Sequence, residues 1–158
     1  MVDVLEPYVK EIADLKRDLP NILRKILIKK RDDVIRILKE EQLSEGIDSK
    51  GKVVGTYSYL TKQYADEELQ ASGGRTPRKD KTPGQPYNFE WSGGLFDNFY
   101  MHFEDKESFS LFSQDEKANF LEKEYGDIFT LTKSNNERIN QEILRPEMYD
   151  EIIKRLYT

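Results

Sequence analysis

The chain has 158 residues and no cysteine, with 25 Lys and Arg against 30 Asp and Glu, for a formal net charge of −5. That length predicts one domain able to bury a core without staples, and the missing thiols exclude disulfides, thiolate zinc sites and cysteine nucleophiles. The mildly acidic balance argues against global nucleic-acid binding; with no leader-like start and no run of about 20 apolar residues, the expectation is a soluble protein folded in a reducing cytoplasm, with no membrane partner.

In chain order, Val4, Leu5, Tyr8, Ile12 and Leu15 recur at helical spacing and predict an amphipathic helical extension over 1–18. Asp18 and Pro20 punctuate it, with Asp18 the expected N-cap of a second helix. The strongest helical pattern comes next, over 19–45. Leu23, Ile26, Leu27, Val34, Ile37 and Leu38 form one apolar stripe among charged residues, and Gly46 stops it. Beyond Gly46 come turn residues, then a short helix around 62–69. The stretch 71–88 is rich in Gly, Pro and charge and predicts a long mobile loop, because little in it is apolar enough to anchor.

Residues 91–132 predict a hairpin–helix body. Leu95, Phe99, Met101 and Phe103 alternate with Asn98, Tyr100 and His102, which predicts a half-buried strand over 95–103. Glu104, Asp105 and Lys106 reverse the chain, and Phe109 and Leu111 continue the pattern on the return strand. A helix opening at Asp115 carries Phe120, Leu121 and Tyr125 and closes at Gly126. Ile128, Phe129 and Leu131 come next as an apolar pentad with two threonines. Ser134 and Glu137 read as a capping box for C-terminal helices over 134–158, with Pro146 opening a second helix or kinking the first. The predicted class is α+β: N-terminal amphipathic helices and C-terminal helices packed on a small antiparallel sheet, with a long mobile loop.

Chemistry is sparse. The one histidine, His102, lies mid-strand with no motif supplying a nucleophile or acid beside it, so it reads as structural. The carboxylates mostly sit beside Lys or Arg on helices; Asp97 is the one inside the strand pattern and would anchor any carboxylate-based enzyme site. The paired glycines lack the strand–loop–helix context of a phosphate-binding loop and read as turns. No catalytic residue, metal or cofactor is expected. The basic residues Arg75, Arg78, Lys79 and Lys81 are the local candidates for phosphate contact, where DNA is the alternative partner, or for docking on an acidic neighbour. Tyr87, Phe89 and Trp91 lie just beyond them. Those seven residues form the predicted subunit or partner contact.

The order of these segments resembles the virion-morphogenesis or tail-completion proteins of tailed bacteriophages. Gly51, Tyr57, Leu60, Thr61 and Lys62 are similar to a segment of that family that comes after its N-terminal helix. Ser92, Gly93, Gly94 and Leu95 resemble its small-residue turn into a strand. Phe120, Tyr125 and Gly126 resemble its glycine-closed helix, and Ile128 to Thr132 the apolar segment before its last helix, with Thr130 where glycine is usual. The resemblance spans residues 20–145. It implies a structural virion protein of the neck, tail-completion site or head–tail connector. Such a protein assembles with copies of itself into a ring, in that family often of six, beside portal, neck or tail proteins. It implies a location in the virion, reached from the host cytoplasm during assembly, and a role without catalysis.

Overall fold

The computed structural model describes residues 6–106 and 108–157, with side chains from Val9 onward. Helix α1, Glu6–Lys29, runs straight through Pro20, and a bend at Lys30 (φ −104°) leads into α2, Arg31–Glu41. The predicted break at Asp18 is therefore twelve residues early. Proline removes one intrahelical hydrogen bond and crowds the carbonyl four residues back. Here the helix is held from outside, by Arg155 on Asp18 at 3.2 Å and Glu147 on Lys29 at 2.8 Å. At Lys30 the ladder carries on, with Lys30 N–H donating to Ile26 O and Val34 N–H to Lys30 O. The extension and the long helix are thus one bent rod. Of the apolar positions expected on its first face, Val4 and Leu5 lie outside the described residues, as does the Tyr8 side chain, and Ile12 is exposed rather than core-facing.

A 3₁₀ turn, Leu43–Glu45, ends in Gly46 at φ 65°. Helix α3, Tyr59–Ala71, begins three residues earlier than expected, because Ser58 Oγ accepts from Thr61 N–H at 3.1 Å. A short helix α4, Gly94–Asp97, occupies the start of the predicted strand, so Leu95 and Phe96 are buried through a helical turn. Strand β1, Phe99–Phe103, pairs antiparallel with β2, Phe109–Ser113, in the register Met101 opposite Leu111. Alternation holds there: Tyr100 and His102 face solvent, while Phe99, Met101 and Phe103 are half-buried. Helix α5, Ala118–Tyr125, is preceded by a turn in which Asp115 Oδ1 accepts from Lys117 N–H, and Gly126 at φ 79° closes it.

The last helical run starts at α6, Lys133–Arg138, and its cap is Thr132, whose hydroxyl accepts from Asn135 N–H at 3.1 Å. The expected Ser134–Glu137 box does not form, since both residues already lie inside the helix. A π-helical turn, Ile139–Leu144, then leads without interruption into α7, Arg145–Tyr157. Its wider spacing lets Pro146 sit at the second position of α7 without a break. Helix α7 packs back along α1. The observed class is mixed helix and antiparallel strand, as expected.

The core gathers α2 (Val34, Ile37, Leu38), Leu43, α4 and the pentad (Ile128, Phe129, Leu131) against the inner face of the hairpin. Phe99 meets Phe129 edge-on with ring centroids 5.3 Å apart. At the centre Gln42, fully buried, joins two distant stretches. Its amide NH₂ donates to Ile128 O (3.1 Å) and Thr130 O (2.8 Å), and its Oε1 accepts from Thr132 N–H (3.0 Å) and Asn135 Nδ2 (3.4 Å). The pentad thus satisfies its backbone through side chains, Gln42 foremost with Asp127 and Asn136, rather than through a third strand.

Gly46 sets how closely the segment 86–87 approaches the end of α2. A Cβ there would lie 2.4 Å from Tyr87 O, on top of the left-handed φ. Gly46→Ala is expected to destabilise by about 2–3 kcal/mol, from the left-handed penalty plus a backbone clash, read as a lowered urea midpoint. An unchanged midpoint would refute the close approach.

Candidate functional site: an aromatic socket

The stretch expected to be a mobile loop is anchored instead. Tyr57 N–H donates to Gln85 O, Gly84 N–H to Tyr57 O, Tyr87 N–H to Gly55 O and Arg78 N–H to Trp91 O, each between 2.8 and 3.1 Å. The anchor that composition concealed is Lys81, which is only 1% exposed. Its Nζ donates to Asn88 Oδ1 and, at 2.9 Å, to Glu90 O. It sits 5.2 Å from the Tyr57 ring centroid and 5.7 Å from that of Trp91, so two π-faces replace part of its hydration. Asn88 Oδ1 also accepts from the Tyr57 hydroxyl at 3.0 Å, and that hydroxyl accepts from Asn88 N–H at 2.9 Å. The fold of 78–91 is written in these polar contacts more than in apolar ones.

This anchored segment forms one wall of a cavity of about 270 Å³. Tyr57, just before α3, and Thr61, in its first turn, form a second wall, and Leu121 and Tyr125 of α5 a third. The rings are mutually packed: Tyr87 lies 5.0 Å from Tyr57 and 5.5 Å from Tyr125, and Phe89 lies 5.5 Å from Tyr125. Phe89 adopts φ 49°, the one non-glycine residue in the left-handed region among the described residues. Such a conformation costs about 1–2 kcal/mol and persists only when the surroundings over-determine it, which is commonest at functional sites. Trp91 is half-buried and its indole N–H donates to Glu68 Oε2 at 2.7 Å. Asp115, with the exposed Ser92 and Lys117, contributes polar groups to the lining.

Burial perturbs the titratable groups. It pushes the Tyr57 hydroxyl up to about 12, despite the hydrogen bond from Asn88 N–H. It pulls the Lys81 ammonium down to about 8, against the attraction of Glu90. Glu90 Oε2 is buried 3.0 Å from Lys79 Nζ, yet the approach lacks hydrogen-bond geometry. We read that contact as an ion pair without a directional bond.

Of the seven predicted contact residues, Lys81, Tyr87, Phe89 and Trp91 line the socket. Arg78 is turned away from it, onto Asp97, with Nη1 and Nη2 on the two carboxylate oxygens at 3.1 and 2.7 Å. That pairing lowers the Asp97 pKa and raises that of Arg78. The guanidinium lies over Gly93, where a Cβ would sit 1.9 Å from Arg78 Cζ and would make the arginine end shift. Lys79 reaches Glu90 and Ser44. Arg75 is exposed, with no acidic partner among the described residues. The four cations therefore do not make a common basic patch. His102 lies on the outer face of β1, away from the socket. Among the described residues no three His, Cys, Asp or Glu are placed to hold a metal ion, and no helix is long and apolar enough to cross a membrane.

Sequence reasoning missed Tyr57, Thr61, Leu95, Leu121 and Tyr125 as members of this site. The signal available was the aromatic spacing of Tyr57, Tyr87, Phe89, Trp91 and Tyr125, but nothing local says that these rings meet. Comparison with protein-family models, curated proteins and solved structures finds no match to this chain.

Proposed function

We propose that this protein is a structural subunit of a tailed-phage virion, acting in the neck, tail-completion or head–tail connector ring by assembly and not by catalysis. One observation supports this reading above others. Four stretches carry its resemblance to the virion-morphogenesis proteins, and residues of three of them converge on the socket: Tyr57 and Thr61, then Ser92, Gly93 and Leu95, then Tyr125. A surface hollow built by those stretches, lined by rings and roughly balanced in charge, suits protein contact better than chemistry. Its location would be the virion, after assembly in the host cytoplasm, with copies of itself and portal, neck or tail proteins as partners.

The nucleic-acid reading needs four free cations. Lys81 is buried, and Arg78 and Lys79 are paired. The carboxylate-enzyme reading needs Asp97, which Arg78 occupies. No observation favours either. The assembly reading expects oligomers by sedimentation at high protein concentration and the chain in purified particles by mass spectrometry. A protein that stays monomeric and is missing from particles would sink it.

A further inference from the structure

The two-stranded sheet has a free edge at β2, beside an open hollow away from the socket. Hydrogen bonds at the two ends of the hairpin fix its phase: Gln114 N–H donates to Asn98 O at 3.0 Å, and Glu104 N–H to Ser108 O at 3.2 Å. In an antiparallel pair, bonded and non-bonded residue pairs alternate. With Met101 opposite Leu111, Ser110 and Phe112 therefore bond across to β1. The N–H and C=O of Phe109 and Leu111 point the other way, out of the sheet's edge. Among the described residues nothing pairs with these four groups.

Natural edge strands are blunted by charge, proline or a bulge. Strand β2, Phe-Ser-Leu-Phe-Ser, has none of these, and its register with β1 is unbroken. Helix α2 packs against β1. Beside β2 lies a hollow of about 260 Å³, with Phe109 and Leu111 on one side and Phe129, Thr130, Leu131 and Asn136 on the other. No charged side chain lines it. A ligand that suits it is neutral, is apolar towards Leu111, Phe129 and Leu131, and supplies a donor and an acceptor at every second residue, about 6.8 Å apart. An extended peptide backbone has that chemistry. A phosphate or a carboxylate does not.

We infer that β2 takes up an extended segment of another protein as a third strand, with apolar residues at alternate positions. Residues paired with Phe109 and Leu111 turn their side chains to the core side and their amides towards β2. The residue facing Phe112 lies on the outer side, where the rings of Phe112 and Tyr100 are already exposed 5.9 Å apart. A second copy fits less well. Its stretches 46–57 and 78–91 are tied to each other or to themselves, and 128–132 to Gln42. It could offer only a sheet edge, which brings its own paired strand up against residues 129–131.

The probe is the peptide acetyl-Lys-Val-Thr-Val-Thr-Val-Lys-amide, added to the full-length protein and followed by amide hydrogen exchange. The expected result is saturable slowing at Phe109 and Leu111, while Ser110 and Phe112, already bonded to β1, keep their rates. Methylating the valine nitrogens, which face β2, is expected to abolish the effect, and methylating the threonine nitrogens to leave it. Thr130→Trp, a change at the exposed rim of the hollow, is expected to block it. Rates at Phe109 and Leu111 that ignore the probe, or a valine-methylated peptide that works as well, would overturn strand addition. If a rise in protein concentration alone protects these two amides, the occupant is a second copy and the inference falls. It does not rest on the assembly reading: a chain that is monomeric and missing from particles could still add the strand, and a ring subunit could fail to.

Discussion

Gln42→Leu is expected to cost about 3–5 kcal/mol of folding stability, measured by urea unfolding, a large share of what a domain of this size has. The side chain is fully buried and makes four hydrogen bonds that tie the end of α2 to residues 128–135. Leucine nearly conserves the volume, so the loss does not come from a cavity. It comes from the buried Ile128 carbonyl and the part-buried Thr130 carbonyl and Thr132 N–H, which lose their partner. Gln141→Leu, on an exposed helix position, is the control and is expected to stay within about 0.5 kcal/mol. Gln42→Glu separates the two halves of the clamp. An ionised carboxylate would face two carbonyl oxygens, so this variant is expected to be weakest at neutral pH and to recover as acid protonates it. A Gln42→Leu variant as stable as wild type would show that the pentad's backbone is satisfied some other way.

Lys81 gives the second large effect, and it depends on pH. The lysine releases its proton near 8 in the folded protein and near 10.5 when unfolded. Between those values the unfolded chain binds more protons, so stability rises with pH across this window and is flat below it. The displacement corresponds to a gain of about 3 kcal/mol. Tyr57 acts in the opposite sense. Its hydroxyl holds its proton to about 12 when folded and releases it near 10 when unfolded, so its contribution is full below 10 and is lost as pH rises towards 12. Together the two groups place a stability maximum near pH 10. Lys81→Met is expected to erase the rise between pH 8 and 10.5. At neutral pH it is expected to stay within about 2 kcal/mol of wild type, because the removed desolvation offsets the lost bonds to Asn88 and Glu90. A slope that persists in Lys81→Met would assign the titration to another group.

Both effects come from residues whose sequence context gives no hint of burial. Gln42 reads as one more polar residue at a helix end, and Lys81 sits between Asp80 and Thr82 in a stretch rich in turn residues and charge. Burial of a polar side chain depends on which distant carbonyls are brought to it, and no local period records that. The same limit explains the displaced helix boundaries. Asp18 and Pro20 carry strong local stop signals, but α7 packs along α1 and holds it helical through them. Thr132 outcompetes Ser134 as a cap because Gln42 fixes Thr132 N–H at the edge of the core. Leu95 keeps its burial but gains it on a helical turn, since alternating apolar residues fit a short helix as well as the start of a strand.

What the sequence by itself determined is what short-range periodicity and covalent chemistry can carry: the mixed class, the apolar stripe of α2, the hairpin and its inward face, the closing glycines and the absence of thiol chemistry. The tertiary structure alone decided that the supposed loose loop is pinned by a buried lysine, that three of its four cations are committed within the fold, and that rings from residue 57 to residue 125 meet in one socket. The reason is range. Patterns of period two or 3.6 act over a few residues, whereas desolvation, ion pairing and ring packing depend on neighbours that only the folded chain supplies.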